Sequence, residues 1–211
     1  MSDVPVVLVH GYLATPSTML PLKWRLQRAG LTRVFDTPLT PLCLGDVRGL
    51  AGQLAERVEQ LCAAEGVDKL DLVGVSQGGL MALWYLKHLG GHRRVRRMVA
   101  LGCPFYGTGF ASLGRWLGLG LVSRGLHQVM PGSEFLEALH AGAMPPGPEL
   151  TSVAIPGDWV APPGSCRLEG AQFRLAPPTR SPLPHQALIV SGGCARVTAE
   201  VLRAGPRALN S

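Results

Sequence analysis

The pentapeptide Gly74-Val75-Ser76-Gln77-Gly78 constrains this chain more than any other stretch. A serine bracketed by glycines can occupy a sharp, strained strand-to-helix turn. The small residues let strand and helix approach closely and leave the hydroxyl exposed at the tip. The five letters alone recur by chance, so their context decides. Lys69 to Val73 reads as a strand, the segment after Gly79 as a helix through Leu89, and Val95 to Leu101 as a returning strand. Strand, serine turn, helix and strand therefore follow in order. The first amides of that helix lie where an oxyanion beside the serine would form.

The flanking segments repeat the same alternation. Val4 to Val9 is a continuous apolar run, as a strand buried on both faces should be, and it ends in His10-Gly11. Ser17 to Ala29 reads as a helix stopped by Gly30, and Arg33-Val34-Phe35 opens a short strand. Asp46 is an N-cap candidate for a helix whose apolar face carries Val47, Leu50, Ala51, Leu54, Val58, Leu61 and Cys62. Thr151 to Ile155 and Gly170 to Leu175 read as later strands, and Cys194 to Ala204 as a closing helix. Alternating strands and helices predict an α/β fold with a mostly parallel central sheet and helices on both faces, one domain over residues 1–211.

Residues 104–150 break the pattern. Phe110, Leu113, Trp116, Leu117, Leu119 and Leu121 are interrupted by repeated glycines, and a weaker helix, Ser133 to His140, follows. That composition suits a mobile cap over an apolar pocket, or else a compact helical excursion at the core edge.

A serine nucleophile needs a base, and the base needs an orienting carboxylate. On a strand-turn-helix elbow these follow in the order serine, acid, histidine. His10 precedes Ser76, His88 and His92 lie at the far end of the following helix, and His127 and His140 belong to the insertion. His185, in the loop Ser181-Pro182-Leu183-Pro184-His185, lies beyond the last predicted strand and is the candidate base. Asp158 comes directly after the strand Thr151 to Ile155 and a Pro-Gly turn. Glu134, Glu137, Glu149 and Glu169 follow no strand so directly, so Asp158 is the candidate acid. The loop after the first strand should supply one oxyanion donor and the residue after the serine the other: the main-chain N–H groups of Tyr12 and Gln77. The His10 imidazole is expected to brace that loop. Leu13, Phe105 and Trp116 are the candidate walls for an acyl group.

Composition sets the outer limits. Hydrophobic residues make up 46% and charged residues 16%, which excludes wholesale disorder. Ten of the 18 prolines fall between Pro145 and Pro184, so the back of the chain should be rich in loops. The net charge of +6 includes one dense cluster, His92-Arg93-Arg94-Val95-Arg96-Arg97. No aromatic residue interleaves it as nucleic-acid stacking would want, so it reads as a basic surface connection, with no nucleic-acid partner expected. Cys43, Cys62, Cys103, Cys166 and Cys194 form no CxxC pair and no metal spacing, and the odd count suits a reducing compartment. Cys103 has no cationic neighbour in sequence that would activate it as a nucleophile. No basic n-region or apolar h-region opens the chain, so a cytoplasmic protein is expected.

Three stretches together resemble the bacterial lipase and esterase branch of the α/β-hydrolase superfamily. They are Val7-Leu8-Val9-His10-Gly11, Leu72-Val73-Gly74-Val75-Ser76-Gln77-Gly78-Gly79 and Leu101-Gly102-Cys103-Pro104-Phe105-Tyr106-Gly107-Thr108. Asp158, His185 and the closing helix continue the likeness, which covers most of the chain outside the insertion. The resemblance implies a three-layer α/β-hydrolase fold and hydrolysis of carboxylic esters, often of acylglycerols, through an acyl-enzyme and without an organic cofactor; a cap over residues 104–150 would offer a transient contact with a lipid interface. Val75 stands where many such lipases carry His, and Cys103 where they carry Thr. Many relatives are exported, unlike the expectation here, and no counterpart of the calcium site of some of them is found. The same triad would also serve a thioesterase or an acyltransferase, and a non-catalytic lipid-binding relative would keep the fold without the chemistry.

Overall fold

The computed structural model describes residues 4–109 and 124–204. Its centre is a six-stranded parallel sheet in the order β2-β1-β3-β4-β5-β6. The strands are β1 (Val6–Val9), β2 (Val34–Asp36), β3 (Leu70–Val75), β4 (Val95–Leu101), β5 (Glu149–Ala154) and β6 (Gln172–Leu175). Chain order β1 then β2, with β3 on the other side of β1, places the reversal of strand order beside β1 and β3. In open α/β sheets ligands bind outside the carboxyl ends of the strands near such a point.

Seven helices cover the sheet. They are α1 (Leu20–Arg28), α2 (Val47–Glu65), α3 (Gln77–His88), α4 (Arg124–Gln128), α5 (Glu134–His140), α6 (Pro184–Val190) and α7 (Gly192–Arg203) among the described residues. Side chains alternate along each strand, so the two faces build two cores. Val7, Val9, Leu72 and Met98 point toward α2 and α3 and pack with Leu50, Leu54, Val58 and Leu83. Val6, Leu8, Val73, Val99 and Val153 point the other way, onto Leu22 and Leu26 of α1 and Cys194, Ala199 and Leu202 of α7. Each such Val or Leu contributes about 1.5–3 kcal/mol relative to an exposed position.

Helix α2 shows how local sequence sets its own limits. The Asp46 side chain accepts the Arg48 N–H at 2.7 Å, and Gly66 closes the other end at φ 64°. Its seven buried positions are the seven apolar ones of the sequence pattern. Helix α1 is shorter than expected, because Pro16–Met19 forms a 3₁₀ turn ahead of it.

Two expectations are corrected here. The run His92 to Arg97 is a surface connection only in its first half, a 3₁₀ turn in which Arg93 is exposed. Its second half is the start of β4, and Arg97 is 2% exposed, donating to Glu149 Oε2 at 2.9 Å and to the Leu202 carbonyl at 2.9 Å. Arg96 pairs with buried Asp71 at 2.6 Å and Arg94 with Glu59 at 2.8 Å. Arg96 and Arg97 are drawn in because Asp71 of β3 and Glu149 of β5 present carboxylates near the amino ends of those strands. The second correction concerns His185, which is the second residue of helix α6 rather than part of a loop. Pro184 at N1 starts that helix, its fixed φ being pre-set for a first turn.

Within the insertion, Phe135, Leu136 and Leu139 of α5 are buried in the same core cluster as residues of α2 and α3. Phe110, Leu113, Trp116 and Leu121 lie outside the described residues. No helix among the described residues is long and apolar enough to cross a membrane.

Candidate active site

Ser76 is the residue between β3 and α3. Its φ of 55° and ψ of −125° are unusual for any side chain, and they are held by the close packing around the turn. A Cβ on Gly78 would lie 2.2 Å from the Val9 carbonyl oxygen, and one on Gly74 would lie 2.6 Å from Gly79 Cα. Strand, turn and helix thus touch backbone to backbone, which only glycine permits.

His185 and Asp158 meet this serine from far along the chain. The Ser76 hydroxyl is 3.0 Å from His185 Nε2, and His185 Nδ1 is 2.8 Å from Asp158 Oδ2. With a neutral ring, Ser76 donates to Nε2 and Nδ1–H donates to the carboxylate. Asp158 is 3% exposed, and its other oxygen accepts the Val160 and Ala161 N–H groups at 2.9 and 3.0 Å. A buried carboxylate held by two amides cannot rotate away, so it fixes the ring it bonds.

The loop after β1 lies directly against the serine. A Cβ on Gly11 would be 3.1 Å from Ser76 Cβ and 3.3 Å from the Gln77 nitrogen. Tyr12 follows Gly11, and Gln77 opens α3, where the first amides have no partner within the helix. His10 is 1% exposed beneath the loop, with Nδ1 at 3.3 Å from both the Gly11 carbonyl and Cys43 Sγ. Burial holds the imidazole below its ordinary pKa; the Gly11 carbonyl and the Asp36 charge oppose that only in part. The unfolded chain therefore takes up a proton at this ring before the folded one does. The stability from His10 is complete above about pH 6.5 and is lost as pH falls toward the folded value. Thermal melts from about pH 7.5 to 5.5 are expected to show Tm declining, and His10→Gln should flatten the decline to the remainder that His88, also lowered, supplies. An unchanged slope in the variant would show that His10 does not titrate this way.

Over Ser76 opens a cavity of about 420 Å³. Leu13, Met19, Leu126, Val129, Trp159 and Ile189 give it a mainly apolar wall, and Ser76, Gln77 and His185 lie in its lining. Leu13 lines this cavity. Phe105 does not. Its ring is fully buried beside Met98, Ala100, Leu150 and Leu168, in the core under β4 and β5. The chain turns inward after Cys103, and the carbonyl of Phe105 accepts from His140 Nε2 at 2.7 Å. Trp116 lies outside the described residues. Met19, Trp159 and Ile189, together with Leu126 of α4 and Val129 just after its end, carry no such sequence reading. Trp159 carries a sequence signal, a tryptophan directly after the candidate acid, whereas the others show no local pattern that separates them from core residues.

All five cysteines are free and buried. Burial holds the Cys103 thiol far above its usual pKa, away from the thiolate a nucleophile needs. Among the described residues, no three His, Cys, Asp or Glu side chains gather as a metal site.

Solved structures share this architecture. The lipase BlEst2 of Bacillus licheniformis, in its propeptide form, superposes with a TM-score of 0.79 at 19% identity, over 100% of this chain and 53% of that one. Its mature form gives 0.78 at 20% identity, over 94% and 91%. Lipase B of Aspergillus fumigatus gives 0.76 at 19%, over 96% and 53%. This chain therefore spans about half the length of the propeptide form and of the fungal lipase. No family model and no curated protein matches the sequence. With its parallel sheet, helices on both faces and a serine turn between β3 and α3, the chain has the α/β-hydrolase fold in the form these lipases share.

Proposed function

We propose that this protein is a serine hydrolase that cleaves carboxylic esters. The observation that carries the reading is the continuous relay from Ser76 through His185 to Asp158, opening into an apolar cavity. The Ser76 oxygen attacks the ester carbonyl while its proton passes to His185 Nε2. The carbonyl oxygen becomes an oxyanion, and the main-chain N–H groups of Tyr12 and Gln77 are the donors that receive it. Collapse of the tetrahedral adduct breaks the bond to the alcohol, which leaves with the proton from His185. Water, deprotonated by the same ring, then attacks the acyl-enzyme and releases the acid and Ser76. Asp158 stays ionised throughout and stabilises the imidazolium.

The wall formed by Leu13, Met19, Leu126 and Val129 favours an aliphatic acyl group over a polar one. The lipase names of the structural neighbours agree with that preference. A fluorophosphonate probe should label Ser76, identified by mass spectrometry of its peptide, and p-nitrophenyl esters of graded chain length should be hydrolysed. Absence of both labelling and turnover would overturn the reading. Acyl-CoA hydrolysis outpacing every oxygen ester would move it to the thioesterase class.

A further inference from the structure

Four non-glycine residues have φ in the left-handed region among the described residues: Leu13 (54°), Leu42 (62°), Cys43 (50°) and Ser76 (55°). Leucine is rare there, since its Cβ crowds the neighbouring backbone. One of the four is the nucleophile. The other three belong to two segments that face each other, the loop after β1 and the 3₁₀ turn Pro41–Cys43.

Two bonds join these segments. The Leu13 N–H donates to the Leu42 carbonyl at 2.8 Å, and Cys43 Sγ lies 3.3 Å from His10 Nδ1. His10 and Cys43 are both buried. Burial pushes the Cys43 thiol up to about 12 and holds His10 low, so this is a contact between neutral groups, not a thiolate–imidazolium pair. Tyr12 sits between the two ties, with His10 on one side anchored by Cys43 and Leu13 on the other anchored by Leu42. The turn is itself backed by α4. A Cβ on Gly125 would lie 2.9 Å from the Gly45 carbonyl oxygen and 3.5 Å from that of Cys43, and Gln128 Oε1 accepts the Val47 N–H at 2.8 Å.

We infer that the Leu42–Cys43 turn is a positioning element for the reaction, clamping the loop on both sides of Tyr12 so that its amide is fixed where the oxyanion develops. The inference rests on the esterase reading above. Left-handed leucines on both sides of the clamp mean that the backbone of Leu13 is held by an external bond and not by its own preference. A loop free to relax would leave that conformation and carry the Tyr12 amide with it. Since misplacement by about 1 Å can cost ~10²-fold in rate, even a small relaxation should register in turnover.

The test compares wild type, Cys43→Ala and Cys43→Ser, with active sites counted by fluorophosphonate titration. For each, kcat and KM on a p-nitrophenyl ester and the inhibition constant of an aliphatic trifluoromethyl ketone are measured, the ketone forming an oxyanion adduct with the serine. Cys43→Ala is expected to lower kcat per titrated site about tenfold with KM within about twofold, and to weaken the ketone by a similar factor. Cys43→Ser keeps a hydrogen-bonding group toward His10 and should recover most of the loss. If Cys43→Ala does not fold, Cys43→Gly removes the thiol at a φ that glycine adopts without strain. Undiminished kcat and ketone affinity in the thiol-free variant, beside an active wild type, overturns the inference alone. A wild type that neither labels nor turns over overturns the esterase reading and the clamp with it.

Discussion

Ser76→Ala is expected to lower kcat/KM on p-nitrophenyl esters by about 10⁴-fold or more, the loss typical of removing a triad nucleophile. The variant should fold normally. The Ser76 side chain makes no capping bond to α3, and its one described partner is His185 Nε2, which faces the cavity. His185 keeps its bond to Asp158, and Asp158 keeps its two amides. The measurement is turnover together with a thermal melt. Tm should stay within a few degrees of wild type, because no buried group loses its only partner. Activity retained at wild-type level in a folded Ser76→Ala would remove the serine from the chemistry altogether.

Gly78→Ala is expected to have the largest effect on stability, about 3 kcal/mol, or roughly 6–12 °C in Tm for a chain of this size. The added Cβ would meet the Val9 carbonyl oxygen at 2.2 Å and that of His10 at 2.9 Å. Both are main-chain atoms at the end of β1, so no side-chain rotamer can relieve the contact. Relief requires the first turn of α3 to move away from β1, which carries the Gln77 amide with it. Hydrolysis should therefore fall more than the folded fraction does. Gly52→Ala serves as the control in the same experiment. A Cβ there meets nothing within 4 Å, in the interior of α2, and alanine should leave Tm unchanged or raise it. Equal melts for Gly78→Ala and wild type would mean that the elbow tolerates a side chain, contrary to the contacts described.

Both predictions fall in a region that local sequence describes well. The elbow was legible because each of its requirements is local: an apolar strand, small residues at fixed offsets, a helix pattern after the turn. Asp46 was legible for the same reason, since a cap and the face it starts are neighbours. Asp158 stood out because an apolar run and a Pro-Gly turn lead into it. His185 was singled out by chain order, yet its helix was hidden. Seven residues that open on a proline and end in Ile189-Val190 show too little periodicity to be read as α6.

The basic run and Phe105 were misread for a different reason. Arginines look solvated when only their neighbours in sequence are considered. Arg96 and Arg97 are drawn inward by Asp71, Glu149 and the Leu202 carbonyl, partners 25, 52 and 105 residues away. Phe105 has the character of a pocket residue and the burial of a core residue, and only the path of the chain after Cys103 tells them apart.

The order of strands and helices, their caps and the serine turn follow from patterns within some twenty residues, where side-chain period and backbone preference act directly. The cavity, its wall and the clamp on Tyr12 arise where segments distant in sequence are brought together by the folded sheet, as with Ser76 and His185, 109 residues apart. No local preference encodes such contacts. They exist because burying both faces of β1, β3 and β4 leaves the loops at the carboxyl ends of those strands one shared place to meet.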